Sequence, residues 1–170
     1  PEELNLLALA TNPQPQIRRD AVRLLLKSDD TREEGVIIGL RDDDERVFRL
    51  VLFATMRGAT AETAFALIHR AEDARLSEEL RARTIRALAA TGRPEAMRWL
   101  VDHSSIAGRG FLGLSRGGRL RRKSATMLAA IAGLAAHWSQ APEAAAVLEL
   151  AAKSKDEELR NAATMYLENL

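Results

Sequence analysis

The chain has 170 residues, 46% of them apolar but only 4% aromatic, no cysteine, and a formal net charge of +1. That length can bury a core without staples, and the missing cysteines exclude a disulfide framework, a thiolate metal site and a cysteine nucleophile. Ala, Leu, Arg and Glu dominate and all favour helix, so the expected class is all-α, with a core of Leu, Ala, Val and Ile.

In chain order, an opening helix through Leu4, Leu7 and Ala8 reads as the second half of a truncated unit. Ile17, Ala21, Leu24 and Leu25 then follow the i, i+4, i+7, i+8 spacing of one buried helix face. Val47, Val51 and Ala54, with Leu50 beside them, repeat it, as do Leu80, Thr84, Ala87 and Leu88, and finally Leu159, Ala163, Tyr166 and Leu167. Between them lie second helices marked by Val36, Ile37 and Leu40; by Ala64, Leu67 and Ile68; by Ala96, Met97, Leu100 and Val101; and by Ala144, Val147, Leu148 and Ala151. The first members at 17, 47 and 80 are 30 and 33 residues apart, a period that marks a two-helix solenoid unit.

The connections carry helix signals. Asp30-Thr31, Thr60, Ser77 and Asp156 are expected N-caps, Gly58 and Gly92 are expected helix ends, and Pro94 and Pro142 suit first turns. Between 88 and 159 two frames compete. One begins on Leu120 with Ser124, Met127 and Leu128; the other runs Leu128, Ile131, Ala132 and Ala135. The second is preferred, because Ser124 then becomes an N-cap and all excess length collects in Ser104 to Lys123. Five glycines there (108, 110, 113, 117 and 118) are incompatible with a stable helix. The expected stack therefore carries one insertion of roughly fifteen to twenty residues, long for a compact domain.

The pattern resembles bacterial HEAT repeats. Leu40-Arg41-Asp42-Asp43-Asp44-Glu45-Arg46-Val47 has the acidic turn that precedes a unit's first helix, and Ala87 to Ala96 has the Gly-containing turn into its second. Ile17-Arg18, Leu80-Arg81 and Leu159-Arg160 supply the aliphatic-Arg pair that opens the first helix, from which Val47-Phe48 departs. The resemblance covers nearly everything except the insertion and its basic segment. It implies a right-handed α-solenoid of roughly five stacked antiparallel helix pairs, used as a non-catalytic protein-binding scaffold. It also implies an inner face lined by second helices, on which Arg70, Arg98, Trp99 and His103 would lie.

Charge is segregated. Eight acids fall between Asp29 and Glu45 against two arginines, whereas His103 to Pro142 contains no acid and most of the basic cluster. Arg109, Phe111, Arg116, Arg119, Arg121, Arg122 and Lys123, with Arg98 and Trp99 on the preceding helix, are the expected contact residues. The favoured partner is another protein or a neighbouring domain; the alternative is a phosphate backbone engaged by residues 109–123. No cofactor, metal or small-molecule substrate is expected. His69, His103 and His137 stand apart without zinc spacing, Asp42-Asp43-Asp44 reads as a helix entry rather than a calcium loop, and Gly108-Arg109-Gly110 lacks the context of a nucleotide cradle. Trp138 is expected to pack against the next unit. The acidic start Pro1-Glu2-Glu3 is unlike a secretory signal, and Ala125 to Ala136 is too short for a bilayer, so a cytoplasmic location is expected. A start without Met suggests part of a longer chain, and the preference for Arg over Lys with abundant Ala suggests a bacterial source.

Overall fold

The computed structural model describes residues 2–55, 59–106 and 118–164, with side chains from residue 5 onward. These residues form ten helices: α1 (Glu2–Leu9), α2 (Pro15–Leu25), α3 (Asp29–Arg41), α4 (Glu45–Leu52), α5 (Ala61–Glu72), α6 (Glu78–Ala90), α7 (Pro94–Ser104), α8 (Ala125–His137), α9 (Pro142–Ala152) and α10 (Glu157–Thr164). The class is all-α. A short antiparallel ladder joins β1 (Ser105–Ile106) to β2 (Arg119–Leu120), with Ser105 opposite Leu120. The expected insertion thus has paired ends, closed further by the Arg121 amide donating to the Ser104 carbonyl at 3.0 Å. Among the described residues no helix is long and apolar enough to cross a membrane.

Helix starts follow the side chains that satisfy their free amides. Thr60 accepts from the Thr63 amide, Ser77 from Leu80, Ser124 from Met127, and Asp156 from both Glu158 and Leu159. Asp44 caps α4 by accepting from the Arg46 amide at 2.8 Å, so the acidic run is a helix entry. Pro15, Pro94 and Pro142 sit in first turns, and Gly92 takes φ +67° just beyond α6, where a side chain would be strained. Gly58 lies outside the described residues. One expected cap is displaced: Asp30-Thr31 falls inside α3, whose N-cap position is Ser28. Buried Thr31 instead donates its hydroxyl to the Leu25 carbonyl at 2.8 Å, satisfying an end of α2 that lacks intrahelical partners.

The same face recurs along the chain. Ile17, Val47, Leu80, Met127 and Leu159 are each the third residue of their helix, and all but half-buried Ile17 are buried. The spacing is 30, 33, 47 and 32, so all the extra length falls in one step. The frame expected to begin on Leu128 is corrected by one residue: Met127 is buried and Leu128 only partly so, because the Ser124 cap places Met127 third. Leu24 also departs from expectation at 47% exposed. The buried arc of α2 is Ala21, Val22 and Leu25, and no described element covers the side Leu24 occupies.

Packing follows a regular order. Helices α2, α4, α6, α8 and α10 touch in succession as a first row, and α3, α5, α7 and α9 touch likewise as a second. Glycines permit the tightest crossings. A Cβ on Gly39 would stand 2.3 Å from Val51 Cγ1, and one on Gly133 would stand 2.7 Å from Ala89 Cβ, so α3 lies close on α4 and α8 close on α6. Trp138 ties the same region together, its indole N–H donating to the Ala89 carbonyl at 3.3 Å. That bond runs back to α6, because the residue closes α8 beside the α6–α8 crossing.

The arginines of the aliphatic-Arg pairs have one local role. Arg18 donates to the carbonyls of Asn12 and Pro13, Arg160 to those of Ser154 and Lys155, and Arg81 to those of Leu76 and Asp73. Each guanidinium folds back over the turn before its own helix and satisfies oxygens there. At Val47-Phe48, where the pair is broken, the Phe48 ring is fully buried and the Arg70 guanidinium from α5 sits 4.6 Å from its centroid. Arg18 also pairs with Asp42 through bonds of 2.7 and 2.8 Å, joining α2 to the turn before α4.

Candidate functional site

The expected contact residues divide into three groups. Arg109, Phe111 and Arg116 lie outside the described residues. Trp99 is buried at 7% exposure and its polar edge is used internally: Nε1 donates to Glu72 on α5 at 2.9 Å, and the ring stacks on His103 with centroids 3.8 Å apart. It pins α7 to α5. Arg70, also expected on a binding face, is engaged by Phe48 and by Asp73 at 3.2 Å, whereas Arg98 is exposed.

The third group is the described end of the basic segment. Arg119, Arg121, Arg122 and Lys123 are all exposed. Arg121 donates to the Asp102 carbonyl, and Lys123 bonds Asp156 at 2.7 Å and also Glu158, at the start of α10. Those bonds raise the Lys123 pKa and lower that of Asp156. Along the chain the segment has no nearby acid, but the fold brings two carboxylates to it. Among the described residues, only Arg119 and Arg122 of this group keep guanidinium groups without a protein partner.

A different surface has the character of a binding site. The outer side of the first row forms an open groove of about 800 Å³ across α4, α6, α8 and α10. Its floor is Leu52, Ala87, Ala90, Ala132 and Ala136, and Phe53 stands at one end with 82% of its surface exposed. Its rim carries Arg49, Arg83 and Arg86 against Glu79, with His137 at the end of α8. Arg49 is held by Glu45 at 2.6 Å and Arg83 by Glu79 at 2.7 Å. Arg86 reaches only a carbonyl of its own helix, that of Ala82 at 3.3 Å.

The floor exists because α8 is apolar on every side. From Ala125 to Ala136 it has no charged residue. Met127, Ala130, Ile131 and Leu134 are spent on the core, while Ala132 and Ala136 remain accessible in the groove. A helix apolar all round belongs where both faces are covered; among the described residues nothing covers the Ala132 and Ala136 side of α8.

No protein-family model, no curated protein and no solved structure matches this chain. Among the described residues no three His, Asp or Glu side chains converge as metal ligands. The groove was absent from the expected sites, which lay on second helices and the insertion. The available signal was the uncharged run of α8 together with apolar positions 53 and 90 beyond the core stripes of α4 and α6; Leu52 and Ala87 line the groove from within the core, at 9% and 8% exposure.

Proposed function

We propose that this protein is a HEAT-like α-solenoid scaffold that binds a partner polypeptide in the groove on its first row of helices. In this reading α2/α3, α4/α5, α6/α7 and α8/α9 are successive pairs, with α1 packed before them and α10 after them. The recurrent third-residue apolar position, the returning arginines and the capped turns support that architecture. The observation that carries the binding role is the apolar side of α8 that no described residue covers, lining one groove with exposed Phe53. A groove of about 800 Å³ with an apolar floor and a charged rim falls within the size range of binding sites.

The test is site-specific photo-cross-linking in the source cell, with a benzophenone side chain at position 53 or 136 and a control at Asp102, which is exposed on α7 in the second row. A discrete protein adduct from 53 and 136 but not from 102 is expected. Adducts from 102 alone, or only nucleic-acid adducts, would overturn the reading.

A further inference from the structure

Resting on the groove as the binding surface, we infer that its occupant is an amphipathic α-helix of a partner protein, apolar on one stripe and acidic beside it. The case begins with what the groove cannot offer. Its walls are helices whose backbone groups are already bonded within themselves, and the floor is alanine and leucine. A partner docking as a strand or loop would bring its own backbone amides and carbonyls against that floor with nothing to pair them. A helix arrives with those groups satisfied and presents only side chains.

Size and shape agree. Alanines at 87, 90, 132 and 136 keep the floor low, so that a partner backbone can approach and its larger side chains can fill the space between rows of small ones. A volume of about 800 Å³ matches about two turns of a helix some 10 Å wide. Phe53, standing at the α4 end, offers a ring against which the last apolar side chain of such a stripe would pack.

Charge selects the flanks. The lining carries three arginines against one glutamate. Arg86 has no carboxylate within ion-pair distance among the described residues, and its exposed side chain lines the groove. A carboxylate one turn along from the partner's apolar stripe would meet Arg86 there and a cationic flank would be repelled by it, whereas Arg49 and Arg83 are already held by Glu45 and Glu79. The same alanine floor disfavours a nucleic acid, whose phosphates and base edges would find no donors there.

The experiment uses three synthetic helical peptides of 18 residues sharing one Leu stripe at i, i+3, i+4, i+7 spacing, with flanking positions all Glu, all Gln or all Lys. Binding to the whole chain is read by fluorescence anisotropy. The Glu peptide should bind at least tenfold more tightly than the Lys peptide, and the gap should narrow as salt is raised. Arg86→Glu should reduce or reverse that preference. Ala136→Glu and Phe53→Ser, both at exposed positions that the fold does not need, should weaken Glu-peptide binding at least tenfold while circular dichroism stays unchanged. If all three peptides bind equally and all lose binding in Ala136→Glu, the groove stands and the acidic partner is wrong. If no peptide binding responds to Ala136→Glu or Phe53→Ser, the helical occupant is wrong, whatever the cross-linking from position 53 shows.

Discussion

Replacing Asp42 by Ala tests whether the turn before α4 is the hinge that holds α2 to the rest of the molecule. The Asp42 side chain is 3% exposed, accepts 2.7 and 2.8 Å bonds from Arg18, and accepts the Asp44 amide at 2.8 Å. Burial alone would raise its pKa, but the Arg18 bonds and the Asp44 amide outweigh that and hold the carboxyl below its ordinary range. Removing one member of a buried pair typically costs about 3–5 kcal/mol when the other is left unpaired. Here Arg18 keeps the Asn12 and Pro13 carbonyls, so the expected loss is smaller, about 2–3 kcal/mol. For a chain of this length that corresponds to a fall of roughly 5–10 °C in Tm. Urea melts of the wild type, Asp42→Ala, Arg18→Met and the double variant measure it directly. The double variant should lose at least about 1 kcal/mol less than the sum of the singles. A single-variant loss below about 0.5 kcal/mol, or no coupling, would refute the claim that this pair fastens the first units together.

Further outcomes follow from the same contacts. Asp42 has a lowered folded pKa, and Asp73 is held at about 2, chiefly by the Arg75 side chain and amide. Their stabilisation is present above the ordinary carboxylate range and lost as pH falls through the folded values, so Tm should be level from pH 7 to 5 and drop below about pH 4; Asp42→Ala should flatten that drop. Gly133→Val places a Cβ 2.7 Å from Ala89 Cβ and should destabilise by about 1–3 kcal/mol through overpacking, whereas Ala136→Val at an exposed position should stay within about 0.5 kcal/mol. Lys123→Ala breaks exposed pairs with Asp156 and Glu158 and should lower Tm only slightly, and less in high salt. Arg119→Ala with Arg122→Ala should leave peptide binding in the groove unchanged. Should the chain bind single- or double-stranded DNA at low salt, the same pair of changes should lower the slope of log affinity against log salt.

The helices were legible because their signals are local. Ser77, Ser124 and Asp156 each sit three residues before the apolar position they help to bury, and all three caps carry through from sequence to structure, although the apolar frame of α8 moves from Leu128 to Met127. Local signals fail where a partner arrives from afar. Leu24 fits the periodicity of α2 as well as Val22 does, and only the absence of a neighbour on its side decides the matter. Lys123 has no acid near it in the chain, yet Asp156 reaches it from 33 residues away. Trp99 looks like an exposed aromatic handle until α5 supplies Glu72. The groove is the extreme case, since its floor is alanine drawn from helices that the chain visits between Leu52 and Ala162. An alanine on the back of a helix reads as helix propensity; three such backs, from α6, α8 and α10, laid side by side make a surface.

The groove's location is tested most directly by amide chemical shifts in a labelled sample titrated with the Glu-flanked peptide. The largest changes should fall on Leu52, Phe53, Ala87, Ala90, Ala132 and Ala136 of the first row, with little change at Arg98 or His103. Changes concentrated on α7, or on Arg119 to Lys123, would contradict the account and return the binding surface to the second row or the basic segment.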